Sequence, residues 1–125
     1  LYPGSGRATE VGTGAGAGTT MNVPVPPDTT GDVYLRAFDE VIAPVVARFD
    51  PTWLLISAGF DGHRDDPLTE LGLTAGDFPM LTTRALAMVP PGRCVAMLEG
   101  GYDLDALAAC SAAVLGALAG APVAG

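Results

Sequence analysis

The sequence predicts an α/β fold, a parallel sheet with helices on both faces, and three observations predict it. Two short, continuous apolar runs, Trp53–Ile56 and Cys94–Leu98, have the length and composition of strands buried on both sides. Amphipathic stretches of helical period precede, separate and follow these runs. Both runs also stop abruptly at small residues and then at charge, as strands do at the edge of an α/β sheet where ligand-binding loops begin.

Taken in order, residues 1–18 are a glycine-rich loop, with Gly12, Gly14, Gly16 and Gly18 alternating with small residues. A dinucleotide fingerprint must follow a strand and open a helix. Here the run leads instead into Thr19–Pro26, which has strand character and ends at prolines, so a connecting loop is the better reading. Residues 27–31 form a turn. A helix follows over about Asp32–Arg48, with Tyr34, Phe38, Val41, Ile42 and Val45 on one face. Pro44 is expected to kink or restart it, because proline lacks the amide a continuous helix uses. Phe49-Asp50-Pro51 closes that helix, and the central strand is expected at 53–57.

Beyond the charged turn at 59–68, Thr74-x-x-Asp77 resembles a capping box. It starts a second helix with Phe78, Leu81, Ala85 and Met88 inward, ended by Pro90-Pro91-Gly92. The second buried strand, Cys94–Leu98, leads into the turn Glu99-Gly100-Gly101-Tyr102. Asp103 caps a third helix, whose inward face is Leu104, Leu107, Ser111, Val114, Leu115 and Leu118. Gly120 stops it, and 120–125 form a tail. Residues 19–119 thus read strand–helix three times over, with two right-handed crossovers in one domain. The turns at 59–68 and 99–103 leave the same edge of the sheet, which brings Asp61 and Tyr102 to one surface.

Composition narrows the classes of function. The 125 residues suffice for one domain, and 49% are hydrophobic, which excludes disorder. The net charge of −8, with every positive charge an arginine, offers no basic stripe to a phosphate backbone, so no nucleic-acid partner is expected. The charge is compatible with a cationic substrate. Cys94 and Cys110 lie in apolar runs without Cys-x-x-Cys spacing and read as reduced, buried packing residues. No signal peptide or apolar run of membrane-spanning length is present, so the expectation is a soluble cytoplasmic protein with no membrane partner. The opening Leu1-Tyr2-Pro3-Gly4-Ser5-Gly6 lacks an initiator methionine and reads as the middle of a longer chain.

Chemistry concentrates in the two turns. Asp61, a few residues past a core strand, suits a metal ligand or a catalytic carboxylate. It equally suits a turn cap or a partner for Arg64, and the residues alone leave these alternatives open.

Ser57-Ala58-Gly59-Phe60-Asp61-x-His63-x-x-Asp66-Pro67-Leu68, followed by Leu98-Glu99-Gly100-Gly101-Tyr102-Asp103-Leu104, resembles the zinc-dependent histone deacetylase family. The likeness is to its class II-like bacterial members, which include the acetylpolyamine amidohydrolases. Tyr2-Pro3-Gly4-x-Gly6 and Asn22-Val23-Pro24-x-Pro26 match the same family upstream, in the correct order. The resemblance implies an arginase-like α/β fold and zinc-dependent hydrolysis of an acetyl amide on a cationic amine, acetyl-lysine or an acetylpolyamine. It implies zinc held by an Asp, a His and a second Asp matching Asp61, with Tyr102 as the oxyanion-stabilising phenol. Leu68 matches a position lining the acyl channel, and Gly100 and Gly101 match the turn that carries the tyrosine. His63 matches a position where family members commonly carry a histidine that does not bind zinc, and is read as a surface or loop-packing residue.

The family's Asp-x-His ligands and its histidine pair have no counterpart in these residues, which supply one ligand of three. The expectation is therefore the C-terminal portion of a deacetylase, inactive alone. The alternative is a stand-alone, non-catalytic α/β module that binds a ligand or partner.

Overall fold

A computed structural model describes residues 4–123. Leu1, Tyr2 and Pro3, which open the first motif, and Ala124 and Gly125 of the expected tail lie outside the described residues. At the centre of the fold are two parallel strands, β1 (Leu54–Ala58) and β2 (Cys94–Leu98), paired Leu54 to Cys94 through Ala58 to Leu98. The α/β class and the parallel pairing are as the apolar runs predict. Glu99 N–H donates to the Ala58 carbonyl at 3.1 Å and Phe60 N–H to the Gly100 carbonyl at 2.8 Å, so the pairing continues past both strand ends into the two turns.

Thr19–Pro26 forms no strand, so the sheet described has two strands and one crossover. Pro24 and Pro26 cannot donate to a ladder. Asn22 turns its amide the other way, donating Nδ2 to the carbonyls of Arg7 at 3.1 Å and Glu10 at 3.0 Å. The segment is thereby tied to the glycine-rich loop, where Gly14–Gly16 makes one 3₁₀ turn with neither strand before it nor α-helix directly after it.

The first long helix is interrupted rather than kinked: α1 (Gly31–Ala37) passes through a π-turn (Phe38–Ile42) into α2 (Ala43–Phe49). Ala43 N–H reaches back five residues to the Phe38 carbonyl, directly before Pro44, whose ring and missing amide disfavour a regular turn there. The wider turn advances the inward face by one residue. Tyr34, Phe38, Ile42 and Val46 line the cleft beneath β1. Val41 and Val45, expected inward, are exposed. Asp50 ends α2 in the left-handed conformation, at φ 53°.

Helix α3 (Asp77–Leu86) begins three residues beyond Thr74, with Gly76 rather than Thr74 at its N-cap. Asp77 Oδ2 accepts from both the amide and the hydroxyl of Thr74, each at 2.7 Å, which is one half of a capping box. Phe78 is buried and meets Phe60 edge-on, with ring centroids 5.2 Å apart. Leu81, Ala85 and Met88 are half-buried. Arg84 Nε pairs with Asp39 Oδ1 at 2.8 Å, joining α3 to the π-turn at the surface.

Helix α4 (Leu104–Leu118) buries Ala106, Cys110, Val114 and Ala117. Of the expected inward face, Leu107 packs on the core and Val114 lies in it, but Leu104, Leu115 and Leu118 are exposed. The helix is apolar almost all round, so its period selects no face. Where α3 meets α4, the small Cys110 and Ala117 permit closer packing than leucine would. The helix closes in a Schellman pattern, Gly120 N–H to Ala117 and Ala121 N–H to Gly116.

The core is small: Phe60, Leu73, Phe78, Cys110 and Val114, with Tyr34, Ala75 and Leu107 against it. Cys110 is fully buried as expected, whereas Cys94 is only half-buried. The strands are not covered on both sides. Leu54, Ile56 and Ala58 are half-buried above a cleft of 530 Å³ that separates β1 from the helices. On the other face Leu55 is 67% exposed, and Val95 and Met97 are open beside it. Among the described residues no helix is long and apolar enough to cross a membrane.

Candidate functional site

Residues 59–69 and 99–103 form one connected surface at the carboxyl ends of β1 and β2. A chain leaving a parallel strand needs partners for the polar groups that the ladder no longer pairs. Here each turn supplies them to the other. Phe60 N–H takes the Gly100 carbonyl, and the Phe60 ring drops into the core against Phe78, which fixes the direction of the turn.

Asp61 follows Phe60 directly, so anchoring that ring sets where the carboxylate stands. It lies against Gly100, where a Cβ atom would come within 2.9–3.1 Å of the carboxyl group. Only a residue without a side chain permits that approach. The Thr69 hydroxyl donates to the Asp61 backbone carbonyl, leaving the carboxylate uninvolved. Among the described residues the carboxylate has neither a hydrogen-bond nor an ion-pair partner. Arg64, the alternative partner, lies 3.9 Å from Asp65 instead. Asp61 is half-buried, so its oxygens are available to a group arriving from outside.

Gly101 carries the second turn. Its φ of +135° is a conformation that side chains rarely permit, and a Cβ there would also press on Leu107 and Phe60 at 3.1 and 3.2 Å. The backbone then presents Tyr102, whose side chain stands 57% exposed. Directly after it Asp103 caps α4, accepting from Ala106 N–H at 2.7 Å, and so ties the turn to a long helix. Leu68, on the far side of the first turn, is 63% exposed.

His63 is buried and holds the first turn together. Its amide donates to the Phe60 carbonyl at 3.1 Å, its carbonyl accepts from Asp66 N–H at 2.9 Å, and its Nδ1 accepts from Asp65 N–H at 3.2 Å. This is loop packing, as the sequence suggests.

Asp66 was given no role on sequence grounds, and the structure makes it a hub. It is buried, with Oδ1 accepting from Leu68 N–H and Oδ2 from Tyr102 N–H, both at 2.8 Å. The first bond belongs to a local turn that an Asp-Pro-Leu sequence makes readily. The second spans the two turns, and no local pattern announces it. The site residues named from sequence therefore share one surface, with Asp61 and Tyr102 in turns that interlock. Among the described residues no three His, Cys, Asp or Glu side chains are grouped to hold a metal ion.

Comparison with known proteins gives one consistent answer. The family model described as the histone deacetylase domain matches residues 1–118. The chain is 46% identical over 124 residues to a probable deacetylase of Archaeoglobus fulgidus, covering 96% of this chain and 34% of that protein. It is 48% identical over 125 residues to chloroplastic histone deacetylase 10 of Oryza sativa subsp. japonica, covering 97% and 28% respectively. The solved HD domain of HDA15 superposes with a TM-score of 0.92 at 35% identity, over 99% of this chain and 35% of that one. The histone deacetylase Clr3 superposes with a TM-score of 0.93 at 33% identity, over 100% and 21%. The chain thus spans 34% or less of the curated relatives described here.

Proposed function

The chain belongs to the histone deacetylase family, and from that premise we propose that it supplies the Asp61 and Tyr102 portion of a zinc-dependent deacetylase site. The observation that carries this reading is the interlock of the two turns. A potential ligand and a potential hydrogen-bond donor leave adjacent strands and are held together by the Phe60–Gly100 and Tyr102–Asp66 hydrogen bonds.

Asp61 suits a zinc ligand on its own geometry, with carboxylate oxygens free of protein partners among the described residues and a carboxyl group seated against Gly100. Catalytic zinc takes three protein ligands and keeps a fourth position open. The described residues do not complete that set. In this reading the other two ligands and the proton-transferring histidines come from residues outside these 125, and the chain alone has no deacetylase activity. When bound, zinc supplies a Lewis acid and a readily ionised water.

The chain's own residues then have separate tasks. Asp61 contributes one carboxylate oxygen and one negative charge toward holding the cation. The Tyr102 hydroxyl donates to the amide carbonyl oxygen, whose negative charge is fuller in the transition state than in the substrate, so the bond lowers the barrier. Gly101 gives the tyrosine backbone its direction. The exposed Leu68 offers an apolar wall for an acyl chain. The substrate class is an acetylated cationic amine, either acetyl-lysine or an acetylpolyamine, and the net charge of −8 suits such an amine.

The test is made in the full-length protein, with zinc content measured beside acetate release from an acetyl-lysine peptide and from acetylputrescine. Asp61→Ala should lose zinc and activity together. Tyr102→Phe should keep its zinc and lose about 100- to 1000-fold in turnover. Equal zinc loss in both variants would refute the division of roles.

A further inference from the structure

We propose that Asp66 is a positioning residue: its buried carboxylate sets the placement of Tyr102 relative to the Asp61 turn. This rests on the reading of Tyr102 as the oxyanion donor. Asp66 has only 6% of its surface exposed, and its side chain has no cationic partner among the described residues. A buried carboxylate without a counter-charge is costly unless hydrogen bonds compensate it. Its compensation is two backbone amides drawn from different turns, Leu68 N–H on Oδ1 and Tyr102 N–H on Oδ2. One rigid, planar group thereby fixes the expected channel residue and the expected catalytic residue with respect to each other.

The rest of the turn orients Asp66 for this task. Its own amide is held by the His63 carbonyl, and His63 is buried and anchored to Phe60. The following Pro67 restricts the backbone on the exit side. Tyr102, by contrast, follows Gly101, a glycine with wide backbone freedom, and its exposed side chain has no hydrogen bond among the described residues. Upstream of the α4 cap, the Asp66 carboxylate is the one side-chain group among the described residues that holds the Tyr102 backbone. Without it the tyrosine is set only by a glycine hinge behind and a helix cap ahead.

Asparagine is nearly isosteric with aspartate but has a single acceptor oxygen. In Asp66→Asn the amide nitrogen must therefore face either Leu68 N–H or Tyr102 N–H, donor against donor, and one bond is lost. A charge-assisted bond of this kind corresponds to about 10- to 100-fold in rate when it acts wholly on the transition state. The experiment is a double-mutant cycle in the full-length protein, with Asp66→Asn, Tyr102→Phe and the pair, assayed by acetate release. Zinc content and amide hydrogen exchange are measured on the same samples.

The expected result is a fall of about 10- to 100-fold in kcat for Asp66→Asn, with KM and zinc content little changed. In the Tyr102→Phe background the same substitution should cost less than about threefold, because the group it positions is already gone. A purely structural role would give the same additional loss in both backgrounds, and that outcome overturns the proposal. So does wild-type kcat in Asp66→Asn. Hydrogen exchange reads the placement without any turnover: the Tyr102 and Leu68 amides should both be protected in the parent, and one of the two should lose protection in Asp66→Asn. An unprotected Tyr102 amide in the parent also overturns the proposal. If the parent shows no deacetylase activity while the amide is protected as expected, the functional reading fails and the anchoring by Asp66 stands.

Discussion

The Asp61 carboxylate and Gly100 belong to different turns and touch face to face, so that even a methyl group at position 100 would meet the carboxyl carbon at 2.9 Å. Gly100 is not in the left-handed region, so alanine fits its backbone, and the atoms a methyl group would meet first are those of the Asp61 carboxylate. Gly100→Ala should therefore displace the carboxylate without unfolding the chain. The expected outcome in the full-length protein is reduced zinc content with a melting temperature close to that of the parent. Metal analysis and thermal denaturation on one sample check it, and full zinc occupancy would show that this contact does not govern the ligand.

Gly101 answers differently, because its φ of +135° is the obstacle. Gly101→Ala should cost about 1–3 kcal/mol in backbone strain alone. Contact of the new methyl with Leu107 and Phe60 adds to that. Denaturant unfolding of the two glycine variants side by side should rank Gly101→Ala clearly below Gly100→Ala in stability. The reverse order would mean that the turn relaxes freely.

The two thiols should differ in reactivity. Burial raises the pKa of both Cys94 and Cys110, so each has less thiolate at a given pH than a free cysteine. Cys110 is also closed to solvent, whereas Cys94 is half-buried. A disulfide reagent at pH 8 should label Cys94 slowly, and faster as the pH rises toward its elevated pKa. Cys110 should be labelled only on unfolding. Mass spectrometry of labelled peptides distinguishes the sites, and fast labelling of native Cys110 would contradict the packing of α3 on α4.

Asp103 closes the tyrosine turn by capping α4, with a 2.7 Å bond from Ala106 N–H. Asp103→Ala should destabilise the chain by about 1 kcal/mol, and Asp103→Ser by less, since serine also caps. Denaturant titration of both variants measures the difference. Identical stabilities for Ala and Ser would show that the cap contributes little.

Much of this was legible from the amino-acid order. Cys94–Leu98 reads as a strand because it is continuous, apolar and bounded by Gly92 and Gly100, and it is the strand found, residue for residue. Phe78 reads as core because it falls on the inward face of the helix that Thr74-x-x-Asp77 opens, and it is buried. The π-turn was not legible, since an extra residue per turn leaves no mark on composition, and Pro44 signals a break without saying which kind. The face of α4 was hidden by its uniformity, because its leucines differ from its alanines and cysteine in size but hardly in polarity. Asp66 was missed because its decisive partner lies on the other strand's loop, a relation that exists only after the chain has folded. The burial of Leu55 and Val95 was overestimated because a run of strand residues announces apolar faces, not what covers them.

The parallel pairing of Leu54 with Cys94 also has a kinetic consequence. No tight turn can bring these strands together. The whole intervening segment, with α3 inside it, must be closed first, and closing a long loop precedes any reward from the contacts it allows. The Asp61 and Tyr102 turns therefore meet only once a loop of that length has closed.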